Sequence, residues 1–544
     1  QLAGENKNSI PVIGAENNEV PKVNILITLE GGDLLIDNPK KAGLSQLTAM
    51  LLNESTENFT TEEMSAKLDN LGSSISFSSG DRTSSIFVSS LVGKIDETIS
   101  LLEEKLFNPA FDEDDYKRIN KQYKESINNS KKSAQNMARQ AVAKLMYGNS
   151  IRGTMPSVKG VEKIKLSEVK EFYKKQYNSK LASVVVVGDV KAKELKAVLK
   201  EKFEPWKKGK LPVNPEPSYT ENVALTEINF IDVPSATQST VIFTNNTQLK
   251  QSDEDYFAGL IANQILGGGS EGYLFKNLRD DNGWTYGAYS SLGSSRYGVS
   301  RFTAEAKVRN AVTDSTVTEI VKEISRIRTE SVDPQRLKDV KAAYLGNFIF
   351  STERASTIAS FALGQRLNNL PEDYYETFIE NINNVSAQDV KKAANKFLKL
   401  GNTRIIVVGR GSEVVAGLEE IGFPINYFDK FANPVAKPVF NKPIPEGLTA
   451  SDVISNYINS IGGREKLEGV NTLITNGELE LPAGTPQQVM LSVKQKMPNL
   501  ESVKQKVLMG GQVVMEGGQS FDGETGYIQG PQGRMDMDDE TISK

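Results

Sequence analysis

Leu166-Ser-Glu-Val-Lys-Glu-Phe-Tyr173, followed by Ser183-Val-Val-Val-Val-Gly188, has a second copy in the same chain. The copy reads Ser386-Ala-Gln-Asp-Val-Lys-Lys-Ala393, followed by Thr403-Arg-Ile-Ile-Val-Val-Gly409. Val390 stands 221 residues after Val169, and Gly409 stands 221 after Gly188, so helix and strand recur in one register. Earlier segments pair with small shifts. Val23–Leu29 and Ser239–Thr244 alternate as half-buried strands do, and a helical pattern follows each, at Ala42–Glu54 and at Tyr256–Leu266. A strand and helix over Ser84–Leu106 match those over Ser300–Ile327. A long internal repeat of this kind predicts two copies of one lobe, each of about 200 residues.

Two Pro-rich stretches divide the chain. Glu204–Thr220 carries Pro205, Pro212, Pro215 and Pro217 beside three lysines, which predicts an exposed connector between the lobes. Phe423–Pro445 carries five prolines and precedes a third piece. That piece opens with an amphipathic helical pattern (Val453, Ile454, Tyr457, Ile458, Ile461) stopped by Gly462-Gly463. Strand-like runs follow at Thr472–Leu481, Gln488–Lys496, Val503–Met509 and Gln512–Glu516. The predicted organisation is an N-terminal lobe over 1–204, a linker over 205–221 and a C-terminal lobe over 222–422. A second linker over 423–446 leads to a partial β-rich domain over 447–544. The expected class is α+β, each α/β lobe holding a mostly antiparallel sheet packed by helices. The chain opens on Gln1 rather than Met, as it would if a targeting segment had been removed or left out, and its last residues close no predicted element, so a longer natural chain is expected.

The 544 residues contain no histidine and no cysteine. Disulfides are excluded, and so are the Ser-His-Asp and Cys-His nucleophile systems. Zinc is held mainly by imidazole and thiolate, so an ordinary catalytic zinc site is excluded too. The net charge of -5 and the absence of a dense basic patch argue against nucleic acid. The apolar runs have strand length and are too short to span a bilayer. Asn-x-Ser/Thr triplets at Asn53, Asn58 and Asn128 read as incidental in an Asn-rich chain.

Gly43-Leu-Ser-Gln46-Leu-Thr-Ala49-Met50-Leu-Leu-Asn-Glu54 is where a family resemblance becomes specific. It resembles the Gly-Leu-Ala-His-x-x-Glu-His helix of the pitrilysin/insulinase metallopeptidases. In that inverted zincin motif two His at i and i+4 bind zinc and the Glu serves as general base. In this register Gln46 and Met50 stand where the His belong, and Ala49 stands where the Glu belongs. The family's third ligand is a Glu on a downstream helix, which the resemblance sets on a segment like Asp115–Ser130, with Glu125 near its place. A neutral amide, a thioether and a methyl group leave neither a zinc site nor a base. The helix then reads as amphipathic core with Leu44, Leu47 and Leu51 on its packed face, and no metal is expected in this chain.

In the second half, Leu278-Arg279-Asp-Asp-Asn-Gly-Trp-Thr-Tyr286-Gly-Ala-Tyr-Ser290 resembles the family's Leu-Arg-x-x-x-Gly-x-Thr-Tyr-Gly segment. The resemblance implies that Arg279 and Tyr286 face the substrate and donate to the scissile carbonyl or its oxyanion. Gly267-Gly-Gly269 fits the family's loop ahead of it, and Leu71-Gly-Ser-Ser-Ile-Ser76 resembles the edge to which an extended peptide adds as a strand. Phe521-Asp-Gly-Glu-Thr-Gly526 is loosely similar to exported bacterial domains with a curved antiparallel sheet, from which a docking or spacer role is expected.

Some family members work in pairs, one chain carrying the zinc helix and the other the Arg-Tyr segment. The resemblance therefore implies a non-catalytic subunit of a heterodimeric zinc peptidase, inactive alone. It would lend Arg279 and Tyr286 in trans to a zinc-bearing partner in the bacterial cell envelope, periplasmic or outer-membrane associated. The alternative is a scaffolding homologue whose C-terminal domain recruits, with Arg279 and Tyr286 as remnants.

Overall fold

The structure is a computed structural model that describes residues 10–18, 20–130, 133–191, 203, 206, 219–296, 298–440, 444–479, 487–538 and 541. Of the Pro-rich connector, only Trp206, Tyr219 and Thr220 fall within them. Trp206 departs from the expected exposure: it is buried, and its indole donates to the Tyr177 carbonyl at 2.9 Å. The chain gathers into two compact units, Gln1–Asn441 and Lys442–Lys544.

The first unit holds two sheets of one design. β1 (Val12–Glu16), β2 (Lys22–Glu30), β3 (Ser74–Ser79), β4 (Thr83–Leu91) and β5 (Ala182–Gly188) lie in the order β1-β5-β2-β4-β3. β6 (Glu227–Asp232), β7 (Gln238–Thr247), β8 (Ala288–Leu292), β9 (Ser300–Arg309) and β10 (Arg404–Gly409) repeat that order as β6-β10-β7-β9-β8. β11 (Ile425–Phe428) and β12 (Pro434–Val435), both inside the second Pro-rich stretch, extend this sheet beyond β6. In each lobe the first strand runs parallel to the last, and the pairs among its other four strands are antiparallel. The repeat extends to the helices. Those opening at Glu113, Ala134 and Leu166 return at Pro334, Ala355 and Ala387, each 221 residues on.

The valine run Val184–Val187 and its partner Ile405–Val408 are apolar at successive positions, so both faces of each strand must be covered. One face packs on the lobe's own helices: Val184 and Val186 join Ile25, Ile27, Leu47 and Leu102, while Ile405 and Val407 join Ile261, Ile320 and Val390. The other face takes a helix from the opposite lobe. Ala138, Ala141, Val142 and Met146 of Ala134–Tyr147 pack with Ile406 and Val408, and Ala359 and Leu363 of Ala355–Leu367 pack with Ile13 and Val185. The lobes thus exchange one helix each.

The second unit is a six-stranded antiparallel meander, β13 (Thr472–Leu479), β14 (Gln487–Lys496), β15 (Leu500–Met509), β16 (Gln512–Phe521), β17 (Gly526–Gly530) and β18 (Gly533–Asp536). The sequence pattern ends the fourth strand at Glu516, but pairing continues through Gly517 and Gly518 to Phe521. Phe521–Gly526 is a hairpin turn, with Asp522 accepting from the Glu524 and Thr525 amides. Register sets Val493, Val503, Ile528 and Met535 on one face, and Lys504 and Arg534 on the other. Helix Ala450–Ser460 opens with a Thr449/Asp452 capping box. Among the described residues, no helix is long and apolar enough to cross a membrane.

Candidate functional site

The helix carrying Gln46, Ala49 and Met50 spans Leu44–Leu52, slightly shorter than its sequence pattern. It starts on Gly43, whose φ of 98° is left-handed, and a Cβ there would lie 2.9 Å from the Tyr123 hydroxyl. The left-handed φ favours glycine here, and a larger residue would also have to shift the Tyr123 ring. Leu44, Leu47 and Leu51 are buried, as the amphipathic pattern predicts; Ala49 is buried with them, and Met50 is half-buried against the same core.

A hydrogen-bond cluster occupies this end of the lobe. Asp33, in the turn Gly32–Leu35, accepts from the Ser45 hydroxyl and from Gln46 Nε2, the latter at 3.0 and 3.2 Å to its two oxygens. Burial raises the Asp33 pKa above the usual aspartate value, and the Ser45 and Gln46 donors only partly offset it. Tyr123 stands nearby; burial, then the Asp33 charge, pushes its phenol well up. Gln46 Oε1 is buried with no hydrogen-bond partner. At the other end of the helix, Lys105 Nζ donates to the carbonyls of Asn53 (2.9 Å) and Glu54 (3.2 Å). An ammonium at a helix C-terminus satisfies orphan carbonyls and complements the dipole.

This donor set does not fit zinc: an amide, a thioether and a methyl group stand at the motif positions. Among the described residues, no three His, Cys, Asp or Glu side chains gather as a metal would require. Glu125, set near the third-ligand place by the resemblance, is exposed; on its helix, Glu113–Ser130, it is Tyr123 that reaches Gly43.

The Arg279–Tyr286 segment is built differently. Helix Tyr256–Gly267 ends in glycines, and the helical turn Tyr273–Phe275 opens into a wider π-type turn over Lys276–Asp281. Leu278 anchors it in the core. Asn277 Nδ2 pins it from below, donating to Glu319 at 2.6 Å and Glu323 at 2.7 Å. The Thr285 hydroxyl lies within donating reach of two carbonyls, Lys307 at 2.8 Å and Gly287 at 2.9 Å, its one proton serving either, and accepts from the Gly287 amide. Between these clamps, Arg279 is exposed, its guanidinium 4.7 Å from the centre of the Phe275 ring, and Tyr286 is 91% exposed. Such π-type turns occur often at functional sites. The segment feeds straight into β8, an edge strand, as β3 is the edge of the other sheet.

Arg279 and Tyr286 are thus on the second lobe and Gln46, Ala49 and Met50 on the first. No hydrogen bond or ion pair among the described residues joins the two sets. Sequence reasoning missed Asp33, Tyr123, Lys105 and Phe275. Only Lys105 carried a signal, a lysine at the apolar helical register of Leu101, Leu102 and Leu106.

The family profile described as Insulinase (Peptidase family M16) matches residues 12–155, which hold the degenerate helix. The profile described as Peptidase M16 inactive domain matches residues 163–344, which hold Arg279 and Tyr286. The chain belongs to the insulinase (M16) peptidase family. It is an M16 homologue of the inactive type. The Non-peptidase homolog YmxG of Helicobacter pylori is 23% identical over 398 residues, covering 72% of this chain and 89% of that protein. The Probable inactive metalloprotease YmfF of Bacillus subtilis is 23% identical over 312 residues, covering 56% and 71%. Two solved structures share the fold. A peptidase M16 inactive domain from Pseudomonas fluorescens superposes with TM-score 0.65 at 22% identity, covering 73% of this chain and 95% of its own. A protease from Helicobacter pylori superposes with TM-score 0.67 at 17% identity, covering 74% and 97%.

Proposed function

We propose that this protein is the non-catalytic subunit of a two-chain zinc peptidase of the bacterial cell envelope. It closes the peptide chamber and presents Arg279 and Tyr286 to a scissile bond that a zinc-bearing homologue cuts. The observation that carries this reading is an asymmetry of loss. The metal helix has been refilled with core packing and an Asp33-centred cluster, while Arg279 and Tyr286 remain outward-facing on a clamped turn. A guanidinium and a phenol held ready for a developing oxyanion act without any metal of their own. β3 and β8 are the edges of their sheets, where an extended peptide can add beside Phe77, which pairs with the Asn53 side chain, and beside the Ser290 carbonyl, which accepts from Asn263. A periplasmic or outer-membrane setting suits a chain without stray thiols.

The test is reconstitution with a homologue that keeps the intact zinc helix. Arg279→Ala and Tyr286→Phe should assemble with it and lose peptide hydrolysis. A second reading is favoured by the C-terminal unit, where Val453, Ile454 and Tyr457 of helix Ala450–Ser460 are each more than half exposed. Uncovered apolar helix faces suit recruitment, which makes the protein a scaffold. Under that reading both variants leave hydrolysis by the pair unchanged, and deleting 447–544 abolishes assembly.

A further inference from the structure

Arg279 is a long, exposed cation without a carboxylate partner among the described residues, a poor starting point for a preorganised donor. A free arginine samples many rotamers, and each must be frozen out when substrate binds. Here the ring beneath it supplies order. Phe275 lies one turn earlier and is only 4% exposed, and the guanidinium sits 4.7 Å over its centroid. Phe275 is braced in turn by Tyr289, whose ring centroid lies 5.7 Å away at an interplanar angle of 48°. Tyr289 is held close by Gly287, where a Cβ would lie 2.6 Å from the Tyr289 ring. Gly287 is the residue that the Thr285 hydroxyl clamps, immediately after Tyr286. One packed ladder therefore runs from the Arg279 guanidinium to the backbone beside Tyr286, whose own side chain stands outside it.

We propose that Phe275, braced by Tyr289, is the positioning residue of this site: its ring face fixes the plane and direction of the Arg279 guanidinium. This deepens the reading given under Proposed function and rests on it. The interaction is sized for the purpose, since cation–π contacts restrain geometry without neutralising the charge that must meet an oxyanion. Lysine would keep the charge and lose the planar guanidinium that faces the ring, so Arg279→Lys is not conservative at this position.

The experiment uses the full chain reconstituted with its zinc-bearing homologue and an internally quenched, unstructured peptide of about ten residues as the probe. Phe275→Leu and Tyr289→Leu should each lower kcat on the order of ten- to a hundred-fold with KM little changed, because misplacing a transition-state donor costs rate rather than affinity. Phe275→Tyr, which keeps the ring, should restore kcat to within about three-fold of wild type. Independently of any partner, the Arg279 Nε–H proton should resonate upfield through the ring current and move to its exposed position in Phe275→Leu. Tyr289 is half exposed, so its variant retains a folded reference if Phe275→Leu is unstable. If Arg279→Ala cripples the pair while both leucine variants stay fully active, the positioning role is overturned and the functional reading stands. A pair indifferent to Arg279→Ala overturns both.

Discussion

Gln46 donates its side-chain amide to both carboxylate oxygens of Asp33, so the helix position that carries a zinc ligand elsewhere in the family here carries a hydrogen bond. The exchange has a cost. Asp33 is a largely buried carboxylate facing neutral donors, and burial raises its pKa. A group whose folded pKa is raised takes up a proton while the unfolded chain is still ionised. Stability is therefore lost as pH rises from the ordinary aspartate pKa through the raised folded value. Asp33→Asn removes that titration, and Gln46 can turn its amide so that its partnerless oxygen accepts from the new side chain. The melting temperature of Asp33→Asn relative to wild type should rise with pH across this window and then level off. Asp33→Ala, which strands the Ser45 and Gln46 donors, should cost about 1–3 kcal/mol in denaturant titrations.

Lys105 gives a second pH signature of opposite sign. It is 2% exposed, and burial lowers its pKa from 10.5 to about 8, with Glu54 opposing the shift. Between those values the unfolded chain binds the proton and the folded chain does not, so stability rises with pH. Relative to Lys105→Met, wild type should gain as much as about 3 kcal/mol between pH 8 and pH 10.5, read by denaturant titration at fixed pH.

The exchanged helices predict where small residues are compulsory. Ala359 is 1% exposed where the second lobe's helix meets Ile13 and Val185 of the first sheet. Ala359→Leu should cost about 1–3 kcal/mol through overpacking, measured by urea unfolding. Ser356 lies on the exposed side of the same helix and serves as the control. Ser356→Leu should change stability by no more than about 0.5 kcal/mol in the same titration.

Tyr286 separates function from stability. At 91% exposure its hydroxyl supports nothing in the fold, so Tyr286→Phe should leave the melting temperature unchanged. In the reconstituted pair the loss of one oxyanion donor should lower kcat by about 100- to 1,000-fold.

The repeat was legible because strands buried on both faces must be apolar at successive positions, as Val184–Val187 and Ile405–Val408 are. What covers their second face was not. Ala138 and Ala359 are ordinary alanines in ordinary helices, and nothing local distinguishes packing on one sheet from packing on the other. The losses at Gln46, Ala49 and Met50 were visible because a motif fixes the register of a helix. Asp33 lies thirteen residues before Gln46 in a glycine turn, and its capture by Gln46 depends on tertiary approach. Phe275 was hidden for another reason: a Phe one turn before an Arg reads as ordinary amphipathic helix, and only the wide turn at Lys276–Asp281 brings out its use.

The most direct test is zinc content and peptide hydrolysis, measured on the purified full chain alone and after mixing with a homologue that bears the intact zinc helix. The account predicts less than about a tenth of an equivalent of zinc and no turnover from the chain alone, as expected without three protein ligands. It predicts hydrolysis from the mixture that Arg279→Ala abolishes. One equivalent of tightly held zinc and turnover by the isolated chain would contradict it.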